Sequence, residues 1–440
     1  MTTPQPQRSI PLLHAMALVV ANMIGTGIFT MTGLLSGQIG DPWWIMGVWL
    51  VGGLIAMCGA DVYGELGAMM PRAGGEYIYL SRAFHPAAGF LSGWVSLIVG
   101  FSAPVAASAI AFGSYVHATV PGIPRTAAAV VLIALVTALH MASVRWGARL
   151  QTAFTVMKVT LLLALVIGGL AFGKGSWEHL AASGGAPKVG GLAVALVFVS
   201  FAYSGWNGAA YIAGEMKDPG KNLPRALLGG TMIVVVLYLS LNLVFFYAAP
   251  AATLSTGVEV GHIAAKALFG PAVGNVVSVL IALALVSSVS AMIMAGPRVY
   301  MAMAEDGLFF SAFARRGKGG APWASVVLQG AIALVLAVTA TFEQLLIYIG
   351  FTLSLFAALT VLAAFVLRRR EPDAERPYRA RGWPVTPLLF LSLSLWMAIF
   401  SIKSKPLESL SGVATLLIGL VLYVARRKLG KSAPDASREG

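Results

Sequence analysis

Between Arg8 and Asp41 the chain runs through residues 9–40, 32 positions, without one Asp, Glu, Lys or Arg. About 20 apolar residues suffice to cross a bilayer as a helix. Inside lipid every backbone N–H and C=O must find its partner within the protein, which leaves helices and closed barrels as spanning structures. An uncharged run of this length selects the helix. Runs like it recur along the chain: a window of about 19 residues gives twelve spans, near 11–37, 43–69, 86–116, 124–143, 146–172, 190–213, 226–248, 272–303, 323–341, 344–367, 385–402 and 408–425. The sequence therefore predicts an all-α polytopic membrane protein of twelve transmembrane helices. It leaves no stretch for a soluble domain.

Composition agrees, with 58% hydrophobic and 11% charged residues against about 25% charged in an ordinary soluble domain. The first residues do not read as a cleavable leader, because the apolar run is too long and no small-residue cleavage site follows. Cys58 is the sole cysteine, so the chain cannot form an internal disulfide.

A net charge of +13 invites a nucleic-acid reading, but its distribution argues otherwise. With the amino terminus inside, 22 of the 30 Lys and Arg fall on the cytoplasmic side, largely in 217–225, 315–318, 368–381 and the tail from Arg426. Six fall outside (Arg125, Lys174, Lys188, Lys266, Lys403 and Lys405), and Lys158 and Arg298 lie within spans. That asymmetry predicts both termini in the cytoplasm. The basic charge orients the chain, and no nucleic-acid partner is expected.

Two spans carry interruptions. "ANMIGTGIFT" puts Gly25, Thr26 and Gly27 at mid-depth in span one, where a helical glycine costs roughly 1 kcal/mol relative to alanine. "FAYSGWNGAA" puts Ser204, Gly205, Trp206 and Asn207 in span six, five spans later. One such segment is explained by close helix packing. A matched pair in corresponding positions points to a transport site built from broken helices in two repeats. An odd repeat of five spans requires the halves to be oppositely oriented.

These segments also carry a family resemblance. "IGTGIF", "YGELGAMMPRAGGEYIYLSRAF", "ASVRWGARLQTAFTVMK", "FAYSGWN" with "GEMKDPGKNLPRA", and "MAEDGLF" follow one another from residue 22 to about 310. Together they resemble an L-type amino acid transporter of the amino acid–polyamine–organocation superfamily, in a bacterial-type member. The resemblance implies a leucine-transporter-like architecture: 11–172 and 190–367 as inverted five-helix repeats, and 385–425 as two accessory helices. It implies a sodium-independent exchanger of small to medium neutral L-amino acids, working by alternating access in the inner membrane, and not an enzyme. No cofactor is expected.

The chemistry fits the breaks. An amino acid zwitterion must have both charges paired in low dielectric. Unwinding at Gly25, Thr26 and Gly27 frees backbone N–H groups at the positive end of the following half-helix, a carboxylate site without a basic side chain. Unwinding near Ser204, Gly205 and Asn207 frees carbonyls for the ammonium. By resemblance, the carbonyls come from Met23, Ile24, Phe201, Ala202 and Ser204, and Phe201 closes over the substrate as the outer gate. The centres of spans one, three, six, eight and ten hold no acid, which favours a neutral side chain. An aromatic face such as Trp94, Tyr203 or Trp206 leaves a cationic one open.

Lys158 stands nine residues past Arg149, about 13–14 Å into a core about 30 Å thick. Lysine in mid-span costs about 2.5–3.5 kcal/mol on insertion scales and marks function. By resemblance its ammonium takes the place of a sodium ion, near the Gly25 carbonyl with Ser287 or Ser288 as hydroxyl partners. A proton-carrying role for Lys158, or for His14, stays open, and with it a proton-coupled importer. A cationic amino acid or polyamine exchanger is the other alternative. Asp61 and Glu65, one helical turn apart, read as a cytoplasmic polar contact, and "RRREPDAERPYRAR" as a cytoplasmic connector. No metal site is visible. Many animal relatives carry a cysteine after span three for a disulfide-linked subunit. Here that loop reads "HATVPGIPR", so no such partner is expected.

Overall fold

The computed structural model describes residues 8–431 except 73, 143–146, 182–185, 306, 308 and 316–321, and excludes the side chains of 142–152, 302 and 427–431. The first four residues of "SVRWG" and two residues of "MAEDGLF" thus lie outside the described residues. The described residues are mainly helical. Nine helices are long and apolar enough to cross a membrane, among the described residues. The other three expected spans are the shorter apolar helices Arg125–Met141, Val189–Ala202 and Trp323–Thr339.

Span one is two helices, α1 (Leu12–Met23) and α2 (Thr26–Ile39). Span two is α3 (Pro42–Met69), begun by Pro42 and capped by Asp41, whose carboxylate accepts from the Trp43 and Trp44 amides at 2.9 and 3.1 Å. A short helix α4 (Glu76–Ala83) precedes span three, which runs as α5 (Pro86–Val95), a π-helical stretch Ser96–Ser102 and α6 (Ala103–Thr119). Pro104 explains the π stretch, since it has no N–H to donate and its ring crowds the carbonyl four residues back. The Ser102 hydroxyl takes up the Leu97 carbonyl at 2.7 Å. Spans four and five are α7 (Arg125–Ala142) and α8 (Gly147–Phe172).

Span six is α9 (Val189–Ala202), a turn, and the 3-10 segment Gly208–Glu215. The rest are α10 (Pro219–Ala248), the short pair α11 (Ala251–Leu254) and α12 (Val260–Phe269), then α13 (Pro271–Glu305), α14 (Trp323–Thr339), α15 (Phe342–Arg370), α16 (Val385–Ser404) and α17 (Pro406–Lys431). α1 and α3 pack on α10, α6 and α7 pack on α13 and α14, and the two broken spans meet where α2 packs on α9. The expected connector folds back on span two. Glu65 pairs with Arg368 at 2.5 Å and Arg376 at 3.5 Å and accepts the Ala380 amide at 2.7 Å, while Tyr378 donates to Asp61 at 2.5 Å. The polar contact expected of Asp61 and Glu65 is this one.

Candidate functional site

The break in span one is narrow. α1 ends at Met23, Ile24 and Gly25 are non-helical, and Thr26 and Gly27 already belong to α2. No side chain caps α2 at its N-terminus, so its first N–H groups end the helix with their partial positive charge unmet by a capping side chain. A Cβ placed on Gly25 would meet only the Met23 carbonyl, at 3.9 Å. That glycine borders open space. Gly27 differs: a Cβ there would stand 2.4 Å from the Ala202 Cα. Here span one touches span six backbone to backbone.

The break in span six covers the five residues from Tyr203 to Asn207. Gly205 holds φ +99, a conformation that glycine adopts without steric cost. A Cβ on it would approach the Asn22 carbonyl to 2.8 Å, so the two breaks abut each other. Ser204 and Gly205 are partly exposed, whereas Phe201 and Ala202 are buried in the last turn of α9.

Not every carbonyl of the expected set is free. The Tyr238 hydroxyl, from α10, donates to Met23 O at 2.6 Å and lies 3.3 Å from Ala202 O. One phenol therefore bridges the two breaks. Sequence reasoning missed Tyr238; the signal was a phenol four residues before Asn242 in an apolar span. The Asn242 side chain meets the Thr32 hydroxyl of α2.

Lys158 is 3% exposed. Its Nζ donates to Ser288 Oγ at 2.8 Å and to Ile24 O at 3.3 Å. The acceptor is the Ile24 carbonyl, one residue before the Gly25 carbonyl expected, because α1 ends there and leaves its last carbonyls unpaired. An ammonium at a helix C-terminus is also favoured by the dipole. Ser288 supplies the hydroxyl, and Ser287 is buried next to it. Thr26 is buried with its hydroxyl 2.5 Å from that of Ser108 on span three. Asn207 points away from the junction and donates to Glu76 at 3.0 Å.

Of the expected residues, Met23, Ile24, Gly25, Thr26, Gly27, Ala202, Gly205, Lys158 and Ser288 thus converge on one junction, with Phe201 and Ser204 at its edge. Trp206 is turned the other way, its ring 4.6 Å from that of Tyr63. His14 is exposed on α1, lining a surface groove with Leu18 and Ile212. Among the described residues no cluster of His, Cys, Asp or Glu could hold a metal ion.

Residues 10–423 match the amino acid permease family. The chain belongs to that family. It is 30% identical over 430 residues to the rabbit (Oryctolagus cuniculus) large neutral amino acids transporter small subunit 2, covering 95% of this chain and 80% of that protein. It is 32% identical over 436 residues to the human Asc-type amino acid transporter 1, covering 95% and 82%. It is 27% identical over 431 residues to the serine/threonine exchanger SteT of Bacillus subtilis, covering 96% and 97%. This permease is an L-type member of the amino acid–polyamine–organocation superfamily.

Proposed function

We propose that this permease is a sodium-independent exchanger of small to medium neutral L-amino acids, bound as zwitterions where spans one and six break. The observation that carries the reading is the junction itself. An uncapped helix N-terminus at Thr26 borders open space at Gly25, beside the carbonyl-rich turn at Ser204 and Gly205. The amides of the first turn of α2 take the carboxylate, and the Ser204 carbonyl takes the ammonium together with the remaining lone pair of the Phe201 carbonyl, which already accepts the Ser204 amide at 3.0 Å. Tyr238 and Lys158 hold Met23, Ala202 and Ile24 in place, so these carbonyls shape the site. Phe201 closes over the substrate as the outer gate. Lys158 stands where a coupling cation would otherwise bridge spans one, five and eight.

Transport by alternating access fits the division of span one. α2 is packed on α9, α11 and α12, whereas the main neighbours of α1 are α10 and the 3-10 segment. Spans one to five (11–172) and six to ten (190–367) serve as the inverted repeats, with 385–425 appended. The relatives named above are transporters of large neutral amino acids and an exchanger of serine and threonine, in keeping with a neutral substrate. The permease works in the cytoplasmic membrane with both termini inside and without a disulfide-linked subunit.

The test is a proteoliposome panel with labelled L-serine outside and each of the twenty amino acids loaded inside. Uptake should require an internal neutral amino acid and be competed by alanine and leucine. Equal uptake into empty vesicles contradicts exchange, a pH gradient driving net uptake supports the proton-coupled importer, and competition by arginine or putrescine alone supports the cationic exchanger.

A further inference from the structure

Glu76 opens α4, on the same side of the bundle as the amino terminus. Its Oε1 accepts the Tyr63 hydroxyl of span two at 2.6 Å and the Asn207 amide of span six at 3.0 Å. Asn207 is the residue from which span six re-enters helical structure. One carboxylate thus joins three elements beside the break. Tyr79 on its own helix and Tyr211 on span six also face it, and Thr360 of span ten faces the Tyr63 hydroxyl. α5, packed on α4, carries no titratable side chain. The charges at the far end of α4 are engaged elsewhere, Arg82 with Glu371 at 2.5 Å and Arg370 with the Ala83 carbonyl at 2.9 Å.

Among the described residues Glu76 has no ion-pair partner. Glu76 is half-buried, and two neutral donors compensate its partial desolvation only in part. A glutamine would accept both bonds without that cost. Burial pushes the Glu76 carboxyl above the usual carboxylate range, and its two hydrogen bonds draw it back only partly.

We propose that Glu76 is a positioning residue for transport, its ionised carboxylate latching the inner half of span six in the arrangement seen here and its protonation releasing that latch. The proposal rests on the exchange reading above. An ionised acceptor makes hydrogen bonds roughly twice as strong as a neutral one, so protonation loosens the ties to span two and span six together. The latch holds above the raised value and is lost as the cytoplasmic pH falls through it, where the carboxyl takes up a proton.

The test measures L-serine exchange by the full-length protein in oriented proteoliposomes, with KM read separately on each face. As the pH is lowered from neutral through the raised value, the cytoplasmic KM should rise roughly threefold or more while the external KM stays level. Glu76→Gln keeps the shape and the acceptor but cannot ionise. Its cytoplasmic KM should sit near the wild-type acidic value at every pH. Tyr63→Phe removes a donor that favours the charged form, so its transition should move to higher pH. A wild-type profile in Glu76→Gln, or a level cytoplasmic KM in an actively exchanging wild type, overturns the proposal. Infrared pH-difference spectra decide the titration without transport: a protonated-carboxyl band should appear on acidification and be missing in Glu76→Gln. Absence of that band in the wild type overturns the latch. Absence of L-serine exchange at every pH overturns the exchange reading instead.

Discussion

The two halves of span one share a strand of sequence and little else. In α2 ten of 14 residues are buried; in α1 four of 12 are. α2 is tied down along its length. Its Phe29 carbonyl accepts the Tyr115 hydroxyl at 2.7 Å, and the Tyr115 hydroxyl oxygen in turn accepts the Gly261 amide of α12 at 3.1 Å. A Cβ on Gly33 would come within 2.6 Å of the Gly257 carbonyl, so α2 lies directly against the loop between α11 and α12. α1 has ties mainly at its ends: the Ser9 and Ile10 amides donate to Glu215 O at 2.9 and 3.0 Å, and Lys158 and Tyr238 hold its last carbonyls. Between those ends His14, Ala17 and Asn22 are exposed. The contrast assigns the halves different work. α2 is seated against several elements at once, whereas α1 leans mainly on α10 and is otherwise tied at its ends.

The sharpest way to break this comparison is at the seam. Gly27→Val would drive a branched side chain into the backbone of Ala202. Overpacking of a filled core costs about 1–3 kcal/mol even where neighbours adjust, and a backbone neighbour adjusts least. The variant should lose most of its monodisperse, folded fraction in size-exclusion chromatography. A stable Gly27→Val protein would mean that α2 is less firmly seated than its contacts indicate.

Next comes the tie at the end of α1. Lys158→Ala removes both links from span five, to the Ile24 carbonyl and to the Ser288 hydroxyl, and should slow exchange by about tenfold or more, the scale of one or two charge-assisted hydrogen bonds. Normal exchange in this variant would make α1 independent of Lys158. The smallest expected effect belongs to sodium. Replacing it by choline should leave the wild-type rate unchanged, since the ammonium already joins the broken helix to span eight.

Much of this was legible in the residues because membranes punish exceptions. A glycine pair or a lysine in an apolar span carries a cost, so it stands out in the sequence. The spans, both breaks and Lys158 all followed from that argument. What escaped it depends on partners far apart in the chain. Tyr238 lies 215 residues from the Met23 carbonyl that it holds, and nothing local indicates the pairing. Asn207 sits in the motif of the break, yet Glu76 takes its amide. The shift of the lysine's partner from Gly25 to Ile24 is one peptide, smaller than the reach of any pattern. The 3-10 form of lower span six and the short helices α11 and α12 are settled by packing.

Gly25 decides the central claim, that a zwitterion binds where the two breaks meet. Because its missing side chain borders open space, Gly25→Leu should fold and elute as the wild type does. Calorimetric titration with L-serine should then give saturable binding to the wild type and none to Gly25→Leu, since the side chain fills the place of the carboxylate. Wild-type affinity in a well-folded Gly25→Leu protein would put the substrate somewhere other than this junction.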